Sequence, residues 1–124
     1  MNVLIVESRD TLGMVWARAR ALAREGAQVR RARSQAEAAS WLQSETFDVI
    51  VLDVVLDEGS ALAVADFASY RQPEAKVVFV TDTSFFSDGT IFNYCVNAAA
   101  CVSSGTDPED IAALVEHHGR VTRP

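Results

Sequence analysis

Short apolar runs, each broken off by a polar loop and separated by helix-like segments, constrain this chain more than any other feature. Val3-Leu-Ile-Val6 stops at Glu7-Ser-Arg-Asp10. An apolar run ended so sharply reads as a buried strand leaving the core. Over residues 11–25, Leu12, Val15, Ala19 and Leu22 recur at helical spacing, with Arg20 and Arg24 on the opposite face and Gly26 as the stop.

The pattern continues. Residues 27–32 form a second, shorter strand. Ser34-Gln-Ala-Glu37 is a capping box, and a helix with Ala36, Ala39 and Leu42 follows. Residues 47–52 form a third strand, apolar on both faces, which suits the centre of a parallel sheet. Glu58-Gly-Ser60 opens a third helix to about Arg71, Gln72-Pro-Glu74 turns, and Lys76-Val-Val-Phe-Val80 is a fourth strand. A fourth helix falls within 87–96. Residues 98–102 are weak in strand formers but complete the alternation. Asp107-Pro-Glu-Asp110 starts a fifth helix with a cap, a proline at its first position and acids at its positive end. That helix is expected to end near His118, with His117 and His118 capping it rather than acting as catalytic bases.

Strict alternation with short loops predicts one α/β domain: a parallel sheet with helices on both faces and chemistry at the carboxyl ends of the strands. The domain is expected over 1–118, with 119–124 a tail or the start of a linker. The sequence shows no repeat and no low-complexity segment.

Composition removes several classes of function. No apolar run approaches the roughly 18 residues of a membrane span, so no membrane partner is expected. The N-terminus reads as a strand and lacks the basic region and cleavage site of a signal peptide. Cys95 and Cys101 are too few for a disulfide scaffold, which points to reduced thiols in a cytoplasmic protein. The net charge of −6 argues against direct nucleic-acid binding by this domain. The charge is uneven: residues 1–33 hold seven arginines against Glu7, Asp10 and Glu25. Arg18, Arg20 and Arg24 on the first helix read as a solvated face or as a docking surface.

The strand ends gather Glu7 and Ser8, Asp53, Thr81 and Asp82, and Ser103 and Ser104. Asp53 is the one charge in Val49-Ile-Val-Leu-Asp-Val-Val-Leu56, and a carboxylate there is costly unless the chain surfaces or a partner meets it. Clustered acids at a sheet edge suit a hard divalent cation. A carboxylate beside such a metal can act as a nucleophile toward phosphorus. No glycine-rich phosphate loop follows the first strand, which disfavours a flavin-type binder on the same fold. No general acid beside Asp53 is evident for a phosphoaspartate hydrolase.

The segments Val3-Leu-Ile-Val-Glu-Ser8, Phe47-Asp-Val-Ile-Val-Leu-Asp-Val-Val-Leu56, Val77-Val-Phe-Val-Thr81 and Asp107-Pro-Glu-Asp-Ile111 make the chain resemble a response-regulator receiver domain from about Asn2 to His118. The resemblance implies a flavodoxin-like sheet of order 2-1-3-4-5 with five helices. It implies a two-component signalling role in which Asp53 accepts a phosphoryl group from a histidine kinase or phosphotransfer protein and Thr81 is the switch hydroxyl. It implies Mg²⁺ held by Glu7, Asp53 and the backbone carbonyl of Val55. No enzyme is implied beyond self-catalysed phosphotransfer and dephosphorylation at Asp53.

The chain also departs from that family. Ser8 stands where a second acid touches the metal, Ser104 where a lysine meets the phosphoryl oxygens, Gly105 where proline follows, Cys101 where strand five carries an aromatic, and Asp57 where proline follows strand three. Asp82 replaces the small residue after Thr81: pointing inward, it either replaces the missing metal ligand or repels phosphate. The expectation is weakened Mg²⁺ binding and impaired or atypical phosphorylation. The alternative is a phosphorylation-independent pseudo-receiver acting as an interaction or dimerisation module. The resemblance places such a surface on the fourth helix, fifth strand and fifth helix, where Phe85, Phe86, Phe92 and Tyr94 offer a homodimer contact.

Overall fold

The computed structural model describes residues 1–9, 13–81 and 97–122. Leu12, Asp82, Phe85, Phe86, Phe92, Tyr94, Cys95 and the helix expected within 87–96 lie outside these residues. The strands are β1 (Asn2–Val6), β2 (Gln28–Ala32), β3 (Val49–Asp53), β4 (Lys76–Thr81) and β5 (Ala98–Ser103). They form one sheet of order β2-β1-β3-β4-β5 with every pair parallel. The described helices are α1 (Met14–Arg24), α2 (Gln35–Ser44), α3 (Ala61–Arg71) and α4 (Pro108–Thr122).

The unbroken apolar runs follow from burial on both faces of the sheet. Alternate side chains of a strand point opposite ways. Val3, Ile5, Val49, Val51, Val78 and Val80 pack with Val15 and Leu22 of α1 and Ile111 and Val115 of α4. Leu4, Val6, Ile50, Leu52, Val77 and Phe79 pack with Leu42 of α2 and Val64 of α3. Each such aliphatic side chain contributes about 1.5–3 kcal/mol on burial.

Local signals set the helix ends. Ser34 Oγ accepts the Glu37 amide at 3.2 Å, and Ser60 Oγ accepts the Ala63 amide at 3.3 Å. Asp107 Oδ1 accepts the Glu109 amide at 2.8 Å. After α1, the Gly26 amide donates to Ala23 O and the Ala27 amide to Leu22 O, with Gly26 at φ +87°. This paired closure needs a left-handed residue, which glycine adopts without strain.

Two boundaries differ from the sequence reading. β3 begins at Val49 rather than Phe47, because the Phe47 amide is taken by Gln72 Oε1 at 2.8 Å. α4 runs to Thr122, so His117 and His118 sit inside the helix with their rings edge-to-face at 5.2 Å, and do not cap it. Gly119 does not stop α4. A Cβ there would meet the flexible end of the Met1 side chain and come into ordinary contact with Val49.

Candidate functional site

Parallel register lines up the carboxyl ends of the strands. Val6 pairs with Leu52, so Glu7 and Asp53 are the next residues along these neighbouring strands. Asp53 pairs with Val80, and Thr81 with Ser103. Asp53 is the last residue of β3 and half-buried, and its Oδ1 accepts the Val55 amide at 3.0 Å. The turn after β3 thus holds the carboxylate while Val55 itself is exposed. Thr81 is buried at the end of β4, and its carbonyl accepts the Ser104 amide at 2.9 Å.

An open cleft of about 490 Å³ lies over these ends, lined by Glu7, Arg9, Met14, Val15, Arg18, Asp53, Val55, Val80, Ser104 and Gly105. Glu7, Asp53, Val55 and Ser104 therefore line one cleft. Thr81 adjoins them from the end of β4.

Arg18 joins them unexpectedly. It is only 4% exposed, and Glu7 only 1%. Its Nη1 donates to Glu7 Oε1 in a buried ion pair, and its Nη2 donates to the Ser104 carbonyl at 2.8 Å. A buried carboxylate requires compensation, and the fold supplies it from α1. This corrects the grouping of Arg18 with Arg20 and Arg24 on an outward face. Those two are outward: Arg20 stacks over the exposed Trp16 ring at 4.6 Å, and Arg24 pairs with Glu109 of α4. A signal for Arg18 was present. It falls three residues after Val15 and four before Leu22, on the stripe that packs inward.

Ser8 belongs to the loop framework. Its hydroxyl donates to Arg33 O at 2.7 Å and accepts the Asp57 amide at 3.0 Å. Arg9 then pairs with the Asp57 carboxylate at 3.0 Å across the same loops. The bond and charge of Asp57 raise the Arg9 pKa above its ordinary value, and the charge of Asp53 adds a smaller push the same way. Asp57, where a proline was expected, is thus a bridge between the loops after β1 and β3. Among the described residues, no group of three or more His, Cys, Asp or Glu side chains is arranged to hold a metal ion. Cys101 is a free, half-buried thiol opposite Phe79, and burial raises its pKa.

The doubly wound parallel sheet thus carries Asp53 at the end of its central strand and Glu7 just past the end of the neighbouring β1. The family model for the response regulator receiver domain matches residues 3–116, and the chain belongs to that family, the receiving modules of two-component signalling. Solved structures agree on the fold. The CheY-like receiver domain protein from Methanospirillum hungatei JF-1 superposes with a TM-score of 0.84 at 20% identity, over 98% of this chain and 94% of that one. A Burkholderia pseudomallei response regulator, solved with a phosphorylated aspartic acid, calcium ion and citrate, gives 0.76 at 24% identity, over 99% and 75%. The Thermotoga maritima response regulator TrrA, in complex with Mg²⁺ and BeF, gives 0.77 at 20%, over 94% and 97%. No curated protein sequence matches the chain significantly.

Proposed function

We propose that this receiver keeps Asp53 as its phosphoacceptor position, facing a histidine kinase or phosphotransfer protein, but that Mg²⁺-dependent phosphoryl acceptance there is impaired. The observation that carries this is the engagement of Ser8. Its hydroxyl bridges Arg33 O and the Asp57 amide, so it serves the loops and not a cation in the cleft. Among the described residues, the carboxylates at the strand ends are then Glu7, already paired with Arg18, and Asp53. A hard divalent ion takes several oxygen ligands, most effectively carboxylates, and the described residues do not fit one.

Phosphoryl transfer depends on positioning and on neutralising charge over the equatorial oxygens. Ser104 brings no ammonium group to the site. The pseudo-receiver reading follows from the same chemistry taken to its limit: a domain that signals through its surface without a covalent switch.

The test is incubation with acetyl phosphate and Mg²⁺, followed by intact mass, on wild type and Asp53→Asn. The expected result is little or no phosphoryl adduct on either. A stoichiometric adduct on wild type that Asp53→Asn abolishes would overturn the impairment.

A further inference from the structure

We infer that Arg18 is the resident cation of the Asp53 cleft: a positive charge built into α1 that compensates Glu7 and keeps the cleft from taking up a divalent ion. The inference deepens the reading of this cleft as the receiver site.

Glu7 is at the end of a central strand and almost wholly desolvated. It needs a counter-charge from the fold or from solution. The fold provides a guanidinium, whose planar fork engages two acceptors at once, Glu7 Oε1 and the Ser104 carbonyl. Its helix position fixes it there. Val15 and Leu22 on the same stripe of α1 are buried in the core, so the side chain starts from a rigid element.

A divalent ion drawn to Glu7 and Asp53 would meet this buried, fixed charge at close range, where like charges repel. It would also meet the charge of Arg9, which interacts with Asp53 from the mouth. The same guanidinium holds the turn after β5 through Ser104. Charge compensation and the position of that turn are therefore one unit, and displacing Arg18 from Glu7 disturbs both.

The test is metal titration of the full chain with MgCl₂ and MnCl₂, read by calorimetry and by thermal melting. Wild type is expected to show no saturable binding up to about 10 mM and no rise in melting temperature with Mg²⁺. Arg18→Met keeps the aliphatic stem and removes the charge; it is expected to bind Mn²⁺ at least about tenfold more tightly than wild type. Adding Asp53→Asn to it should abolish the gain, and Arg18→Lys, which keeps the charge, should stay near wild type.

Saturable submillimolar Mg²⁺ binding by wild type, or a folded Arg18→Met that binds no more tightly than wild type, would overturn the inference. Should Arg18→Met not fold, the wild-type melts decide: a melting temperature that climbs with Mg²⁺ overturns the inference, and an unmoved one supports it. None of these measurements reads phosphoryl transfer. An adduct in the acetyl phosphate assay would sink the proposed impairment and leave Arg18 to the titration.

Discussion

The Ser104 carbonyl accepts Arg18 Nη2 at 2.8 Å, fastening the turn after β5 to the middle of α1. The other arm of that guanidinium pairs with Glu7. The end of β1, the middle of α1 and the turn after β5 therefore meet at one guanidinium.

Removing one partner of such a pair strands the other charge, which costs about 3–5 kcal/mol, whereas replacing both with apolar groups of similar size is often near neutral. Arg18→Met and Glu7→Leu are each expected to lose stability in that range. The double variant Glu7→Leu/Arg18→Met should lie closer to wild type than either. Urea unfolding of the four proteins gives the coupling. Two singles within about 1 kcal/mol of wild type would show that the pair is not the desolvated unit its burial indicates.

Gln72 supports the opposite side of the molecule. Its Nε2 donates to Leu42 O at 2.8 Å and Glu45 O at 2.7 Å, and its Oε1 accepts the Phe47 amide at 2.8 Å. One side chain thus closes the end of α2 and sets where β3 begins. At about 1 kcal/mol per bond, Gln72→Ala is expected to cost about 2–3 kcal/mol. Gln72→Glu should cost nearly as much, because a carboxylate cannot donate to the two carbonyls. Chemical denaturation measures both; a Gln72→Glu variant as stable as wild type would contradict the assigned donor roles.

The sheet was legible because its signal is cumulative. Every aliphatic run from Val3 to Val80 was flanked by breakers, and the caps at Ser34, Ser60 and Asp107 fell where the side chains now accept amides. Asp53 was legible as the charge that ends a buried strand. What stayed hidden depends on which way a side chain turns. Ser8 could be seen as a missing acid, but not as a bridge between two loops. Arg18 was read by its charge, although its spacing from Val15 and Leu22 already put it on the inward stripe. Gly119 lies one residue past His118, where the helix was expected to end, yet α4 runs on to Thr122. The glycine's neighbour is the Met1 side chain, a long-range proximity that local pattern cannot carry.

Cys101 gives a chemical prediction. Burial raises its thiol pKa, and the thiolate is the reactive form. Alkylation by iodoacetamide near pH 7.5 is expected to be slower at Cys101 than at a free model thiol, with the rate still climbing as pH passes about 9. Peptide mapping separates it from Cys95. A rate equal to the model thiol at neutral pH would show that burial does not control this sulfur.

His118 gives the pH dependence. Its folded pKa lies below the ordinary 6.5, first because burial disfavours the charged ring, then through the charges of His117 and Lys76. The unfolded chain therefore binds this proton more readily than the folded one. Stability rises with pH wherever the unfolded state holds more protons. The contribution of a neutral His118 is fully present above pH 6.5 and is lost as pH falls through the folded value. Melting temperatures taken from pH 8 down to 5 should thus decline below 6.5, ahead of most carboxylate titration. His118→Gln should flatten that decline, and His117→Gln should reduce it in part by removing one of the facing charges. A decline of unchanged steepness in His118→Gln would assign the pH dependence to other groups.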